Sequence, residues 1–361
     1  MTESFFNGGV MTRRDAFKLA GAATAMAAGA SLIGCSQATA APAKDTALAA
    51  GGAASTTLEE ATSYNVMKVE TNVPSINLTA GIVYKQLLPG GNQLHVDMLV
   101  PSGEKGAKFP LIVYINGGGF TGSLPSRGIT QRMAFAEAGY VVASIQHRVV
   151  PSARFPEPLE DVKAAVRWLR AHAADYSIDP ERVGVVGSSA GGYFATMLGV
   201  TGDVKEFDVG DHTNESSAVN AVIDLYGVSD LTIIGAGLPD GLEEGHDSPA
   251  TTEAMLVNGT AFGGNKGASV FDTPEAAAEA SPFTYIDGTD PAFLILHGDK
   301  DTLVSPVASM ELYKRLKDAG VDVERYTIEG AGHGGPLFDQ PAVIDLMVEF
   351  LDKNVKNIGQ R

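Results

Sequence analysis

A serine hydroxyl becomes a nucleophile only when a base and an orienting group are folded against it. The residues of interest are therefore serines, histidines and carboxylates that one fold could bring together. Val183-Gly184-Val185-Val186-Gly187-Ser188-Ser189-Ala190-Gly191-Gly192 supplies the serine. Its first half is a short apolar run that reads as a buried strand ending at Gly187, and Ala190 to Leu198 can continue as a helix. The centre matches G-x-S-x-G, in which a sharp strand-to-helix turn lifts the serine hydroxyl above a sheet. Ser189 has glycines at both required offsets and Ser188 does not, which makes Ser189 the candidate nucleophile. In a chain with 42 glycines the pattern is weak alone, and its partners must carry the case.

Seven histidines could serve as the base. His333 lies in Glu329-Gly330-Ala331-Gly332-His333-Gly334-Gly335, after an expected strand and on a loop able to lean over the serine. His297 ends an apolar run in His297-Gly298-Asp299-Lys300-Asp301, where its ring is better placed to pin the loop. His172 falls on a helix surface, His95 in an early hairpin, His147 beside Arg148, and His212 and His246 in polar loops. Asp299 and Asp301 are both candidates for the orienting carboxylate. Asn116-Gly117-Gly118-Gly119-Phe120 follows an earlier strand, and its glycines leave backbone N–H groups free to face a developing negative charge. A phosphate-binding loop is the other use of such a run, but no G-K-[ST] follows it.

The elements that must position these groups alternate along the chain. Ile82–Leu87 and Leu94–Val100 read as a hairpin about Pro89-Gly90-Gly91-Asn92. Continuous apolar runs at Leu111–Ile115, Tyr140–Ile145, Val183–Val186, Val219–Tyr226, Phe293–Leu296 and, with less apolar character, Val323–Ile328 read as central strands covered on both faces. Between them fall expected helices over Gln131–Ala138 and Pro158–Ala173 and, closing the chain, Val343–Leu351. In the second, Leu159, Val162, Val166, Leu169 and Ala173 share one helical face. Asp179-Pro180 marks a turn. The pattern predicts an α/β class protein with a doubly wound, mostly parallel sheet. Residues 229–285 break it: a Gly-, Pro- and Asp-rich excursion, a cap-like insertion after the sixth core strand. Its Asp240, Glu243, Glu244 and Asp247 would disfavour anionic substrates if they faced the site, and would do nothing as a solvated loop surface.

These blocks together resemble the α/β-hydrolase superfamily. His297-Gly298-x-x-Asp301-x-x-Val304 is similar to its acid loop, which implies Asp301 as the catalytic acid with Asp299 as the fallback. The chain order Ser189, Asp301, His333 is that of the superfamily. Asn116-Gly117-Gly118-Gly119 resembles the His-Gly-Gly-Gly segment of an esterase subgroup, with Asn116 in the histidine's place. The implied oxyanion donors are the N–H groups of Gly118, Gly119 and Ala190. His147-Arg148, Phe155-Pro156-Glu157, the run Asp161 to Arg170 and Asp179-Pro180-Glu181-Arg182-Val183 are similar to the carboxylesterase branch that includes BD-FAE-type feruloyl and acetyl esterases. Asp161 and Arg148 within that block are expected to form a structural ion pair or helix cap. The likeness spans Val83 to Leu351 apart from the excursion. It implies a serine esterase without a metal or organic cofactor, acting on a small-molecule ester with Phe120 and Tyr193 helping to line the substrate pocket. A peptidase of the same fold, or a binding protein that retains the fold without activity, would be the alternatives.

Composition bounds the rest. The chain has 361 residues, 44% apolar and 19% charged, as a globular protein has. A net charge of −17 disfavours nucleic acid and anionic membrane surfaces as partners. Cys35 is the single cysteine, which leaves no intrachain disulfide and no cysteine-based metal site. Thr12-Arg13-Arg14-Asp15-Ala16-Phe17-Lys18 before an uncharged Ala-rich run resembles a twin-arginine export signal. Leu32-Ile33-Gly34-Cys35 resembles a bacterial lipoprotein box, which implies acylation of Cys35 and a cell-envelope location. The expected organisation is an export signal with lipobox over 1–35, a flexible linker over 36–63 and a catalytic domain over 64–361.

Overall fold

The computed structural model describes residues 56–87 and 91–357. The expected export signal, Cys35, the linker up to residue 55 and the Pro89-Gly90 part of the hairpin turn lie outside the described residues. The chain divides into the units Met1–Lys68 and Val69–Arg361. In the first, α1 (Leu58–Ser63) falls within the last part of the expected linker. Thr57 caps it by accepting the Glu60 N–H at 3.2 Å, and Glu59 and Glu60 sit at its positive N-terminal end. No residue of α1 is buried, so local capping alone accounts for it.

The second unit is built on an eight-stranded sheet. In chain order its elements are β1 (Ile76–Gln86), β2 (Gln93–Pro101), β3 (Phe109–Ile115), α2 (Ile129–Glu137), β4 (Val141–Ile145), α3 (Glu157–Ala171), β5 (Ile178–Ser188) and α4 (Ala190–Val200). There follow β6 (Ala221–Leu225), α5 (Thr252–Asn258), α6 (Pro274–Glu279), β7 (Ala292–Gly298), α7 (Pro306–Asp318), β8 (Val323–Ile328) and α8 (Pro341–Leu351). The strand order is β1-β2-β4-β3-β5-β6-β7-β8. β1 and β2 pair antiparallel, as do β2 and β4, and every later pair is parallel. This is the α/β-hydrolase sheet.

The continuous apolar runs became the central strands, because a parallel strand covered on both faces has no polar side to show, except Val323–Ile328, which is the edge strand β8 with no residue buried. Every residue of β4 and β6 is buried. One core joins Val185, Val222, Phe293 and Ile295 to α3, α4 and α7. The other joins Val186, Ile223, Leu225 and Leu296 to α2 and α8. All of α4 is buried, which matches a helix apolar on every side.

Two strands differ from expectation. β1 begins six residues earlier than Ile82, because its register shifts between Thr79 and Ile82, where Gly81 adopts φ 72°. Such a bulge hides the alternation by which a strand is recognised. β5 absorbs the Asp179-Pro180 turn as an irregularity: Pro110 pairs with Asp179 and the next residue, Leu111, with Val183.

The excursion is mostly turns, with α5, α6 and short 3-10 turns at Glu244–His246 and Pro282–Thr284. Its two ends are joined to each other, Ser281 Oγ accepting the Leu231 N–H at 3.0 Å and Asp230 the Phe283 N–H at 3.1 Å, and it is tied to the domain where the Tyr193 hydroxyl donates to Ala280 O at 2.6 Å. Leu256 O accepts the Phe155 N–H at 2.8 Å.

Candidate active site

In an open parallel sheet, groups placed just past the C-terminal strand ends converge on one edge. The singled-out residues do this, with Asn116–Gly119 after β3, Ser189 after β5, Asp301 after β7 and His333 after β8, and Tyr226 joins them after β6.

Ser189 sits between β5 and α4 at φ 54°, ψ −125°, a conformation that a non-glycine residue occupies only at a cost. Its surroundings hold it there. Its N–H donates to Leu225 O at 2.9 Å, and its carbonyl accepts the Tyr193 N–H at 3.1 Å. The flanking glycines are needed for close approach. A Cβ on Gly187 would lie 2.1 Å from Gly191 O, and one on Gly191 would lie 2.1 Å from Ile115 O. The adjacent Ser188 plays a different part. Its Oγ accepts the Gly117 N–H at 3.1 Å and tethers the glycine loop.

His333 Nε2 lies 2.7 Å from Ser189 Oγ, and His333 Nδ1 lies 2.8 Å from Asp301 Oδ2. Burial works to raise the carboxyl of Asp301, but hydrogen bonds from His297, His333 and the Val304 N–H outweigh it and hold the group far below the usual carboxylate range. An ionised Asp301 only accepts, so Nδ1 of His333 carries its proton and Nε2 is left to accept the serine hydroxyl. Oδ1 of Asp301 accepts the N–H groups of Leu303 and Val304 at 2.9 and 3.0 Å, which fixes the plane of the carboxylate.

The fallback candidates have other partners. His297 is fully buried, and its Nε2–H faces Asp301 Oδ2 and Val304 O, both at 3.1 Å. Asp299 Oδ1 accepts the Gly330 N–H at 2.6 Å and its other oxygen pairs with Lys300 at 3.0 Å, so it shapes the His333 loop without touching His333. Asp161 and Arg148 form the expected structural pair. Asp161 is fully buried between Arg148 Nε at 2.7 Å and Lys85 Nζ at 2.5 Å.

Beside Ser189 the backbone is open. Gly118 O closes a turn by accepting the N–H groups of Thr121 and Gly122, both at 3.0 Å, and Gly119 and Phe120 take φ 55° and 60°. Among the described residues the N–H groups of Gly118 and Gly119 have no acceptor, and Ala190, first in α4, has none within its helix. The Asn116 side chain turns away to donate to Ser144 Oγ at 3.0 Å.

Two cavities meet at Ser189. The larger, about 450 Å³, is lined by Arg127, Gln131, Tyr226, His333, Phe338 and Asp339 together with the glycine loop. The smaller, about 110 Å³, is bounded by Phe120, Ala190, Val228, Ile234, His246 and Glu253. Phe120 thus reaches a cavity as expected, whereas Tyr193 is corrected. It is completely buried, stacks edge-on to Phe120 at 5.3 Å and spends its hydroxyl on Ala280. It supports the pocket wall without lining it.

Sequence reading missed His246, placed there in a polar loop. Its Nδ1 lies 2.6 Å from the buried Glu253 Oε1, in the wall of the small cavity. It also missed Tyr226, whose ring stands edge-on to His333 at 5.0 Å and whose backbone sits at φ 43°. Neither residue belongs to a local pattern. Asp240, Glu243, Glu244 and Asp247 are all exposed and line neither cavity. Among the described residues no group of three or more His, Cys, Asp or Glu is placed to hold a metal ion.

Comparison with known proteins places the chain among esterases of this fold. The BD-FAE family model matches residues 96–316. Esterase LipQ of Mycobacterium tuberculosis is 28% identical over 261 residues, covering 71% of this chain and 57% of LipQ. Esterase LipC of the same organism is 27% identical over 238 residues, covering 64% of this chain and 54% of LipC. The chain thus spans about half the length of these curated relatives. Among solved structures, a truncated carbohydrate esterase from gut microbiota superposes with TM-score 0.67 at 27% identity, covering 79% of this chain and 98% of that one. Est2 of Thermogutta terrifontis, with butyrate bound, shares the fold at TM-score 0.60 and 24% identity, with 78% of this chain and 94% of Est2 covered.

Proposed function

The chain belongs to the BD-FAE family, and on that premise we propose that it hydrolyses carboxylic esters of small molecules through a Ser189–His333–Asp301 triad. The observation that carries this reading is the unbroken chain of contacts from Ser189 Oγ through His333 to Asp301 Oδ2, at 2.7 and 2.8 Å. The names of the relatives, esterases in each case, support it.

In this mechanism Ser189 Oγ attacks the ester carbonyl as its proton passes to His333 Nε2. The carbonyl oxygen becomes an oxyanion held by the N–H groups of Gly118, Gly119 and Ala190. Preorganised donors of this kind are each worth about 3–4 kcal/mol of barrier. The ionised Asp301 stabilises the imidazolium that forms. His333 then gives its proton to the departing alkoxide, leaving an acyl group on Ser189. A water activated by His333 releases the acid and restores the serine. The chemistry calls for no cofactor.

Replacing Ser189 with Ala should reduce hydrolysis of p-nitrophenyl acetate by roughly 10⁴-fold or more, with the fold unchanged by circular dichroism. Retained turnover in that variant would sink the assignment of Ser189 and with it the mechanism.

For location, we propose export by the twin-arginine route and anchoring to the cell envelope through an acylated Cys35, on the strength of the Arg13-Arg14 and Leu32–Cys35 patterns. Cys35→Ala should shift the protein from the membrane to the soluble fraction after cell lysis. A variant that stays membrane-bound rules the anchor out.

A further inference from the structure

The two cavities at Ser189 lie on opposite sides of one reaction, and the position of His333 decides which holds which half of the ester. The group that returns a proton to the leaving alcohol must reach that alcohol's oxygen. His333 lines the 450 Å³ cleft and does not line the 110 Å³ cavity. The alcohol therefore leaves through the large cleft, and the acyl group has the small cavity to occupy.

That cavity is apolar where it meets the acyl chain, with Phe120, Val228, Ile234 and Val304 in its wall. Its polar members are already satisfied by each other. His246 Nδ1–H donates to Glu253 Oε1 at 2.6 Å, and Glu253 is 5% exposed. The pair presents no unpartnered carboxylate to the acyl group. Its volume is well below the roughly 300–1,000 Å³ of sites for drug-sized ligands.

We propose that this cavity is the acyl-binding pocket and that the excursion, through Ile234 and the His246–Glu253 pair, closes it to anything longer or wider than a short aliphatic acyl group. The inference rests on the esterase reading above and adds to it the acyl class and the residues that set it. It also accounts for the aperiodic excursion, whose polar anchors to Tyr193 on α4 and to Phe155 ahead of α3 hold it to the body of the domain and so keep the pocket wall in place.

The test is kcat/KM for p-nitrophenyl acetate, butyrate and octanoate and for a feruloyl ester, measured on the wild type, Ile234→Ala and Val228→Phe. In the wild type octanoate and the feruloyl ester should fall at least about tenfold below the better of acetate and butyrate, as misfit in an apolar pocket commonly costs. Ile234→Ala, which opens the wall, should narrow that gap by about tenfold. Val228→Phe, which fills the cavity, should lower butyrate more than acetate. Thermal unfolding identifies a variant that has failed to fold, and the other variant then decides. A wild-type preference for octanoyl or feruloyl esters overturns the pocket assignment, as does an unchanged profile in folded variants of both kinds. If instead none of the esters is cleaved in a Ser189-dependent way, the esterase reading itself falls and the pocket falls with it. Cleavage with a flat chain-length profile rejects only the pocket.

Discussion

His297 and His333 reach the same oxygen of Asp301: His297 Nε2 lies 3.1 Å and His333 Nδ1 2.8 Å from Oδ2. With the two backbone N–H groups on Oδ1, the carboxylate accepts from four donors. A group so fully solvated by the protein stays ionised although it is buried. One imidazole faces the reacting serine, and the other is sealed in the core behind it.

Asp301→Asn should therefore be severe. An amide cannot accept from two imidazoles on one oxygen and from two N–H groups on the other, and it would disturb the His333 tautomer. A loss of about 10⁴ in kcat is expected by analogy with other triads. Asp299→Asn keeps an oxygen for the Gly330 N–H and loses only an exposed pairing with Lys300, and should cost little. The two kcat values on p-nitrophenyl acetate decide the matter, and the reverse ranking reassigns the acid.

His297 acts through Asp301 and is thus a positioning residue. His297→Leu deletes a hydrogen bond to a charged group, an interaction worth about 1.5–3 kcal/mol. It should lower kcat about tenfold or more with KM little changed. His297→Gln, which can return an N–H donor toward Asp301, should recover part of that loss. Equal defects in the two variants, or a change confined to KM, would show that the ring only fills space.

Asp224 gives a pH-dependent stability. It is fully buried on β6, accepts the Gly227 N–H on Oδ1 at 2.9 Å, and leaves Oδ2 without a partner among the described residues. Burial raises its carboxyl to about 6, against the opposing pull of His297, the Gly227 N–H and Arg325. Between about pH 4 and 6 the folded chain keeps a proton that the unfolded chain has released, so stability falls as pH rises through that window and stays lower above it. At 1.36 kcal/mol per pH unit the penalty at neutral pH is about 3 kcal/mol. Asp224→Asn should raise the melting temperature relative to wild type more at pH 7.5 than at pH 4.5. An equal or inverted difference would mean that Asp224 is comfortably ionised in the fold.

Much of this arrangement was legible because it is local. Ser189, with a glycine two residues before and two after, sits where a strand must turn into a helix, and the glycine run at 117–119 follows an apolar strand. Asp301 and His333 lie just past the last two strands, in the order the fold requires. What stayed hidden depends on residues distant in the chain. Lys163 and Arg167 look like the solvent face of α3, yet both are fully buried. Lys163 is held by the carbonyls of Thr201 and Val204 at 2.6 and 2.9 Å, and Arg167 by Asp208 at 2.9 Å. No periodicity reports a charge satisfied forty residues later. Tyr193 misled for the same reason: an aromatic four residues past the serine looks poised for substrate, but its helix turns it into the core.

The sequence by itself determined the alternation of strands and helices, the strained turn at Ser189 and the loops that bear its partners, since periodicity and glycine placement act over a few residues. Only the tertiary structure decided that His297 backs Asp301, that Asp299 stands aside, and that His246 and Glu253 meet at 2.6 Å in the wall of the cavity beside Ser189. Those outcomes depend on which buried donors and acceptors find each other once the sheet brings distant strand ends to one edge, because each buried polar group left unpaired costs stability.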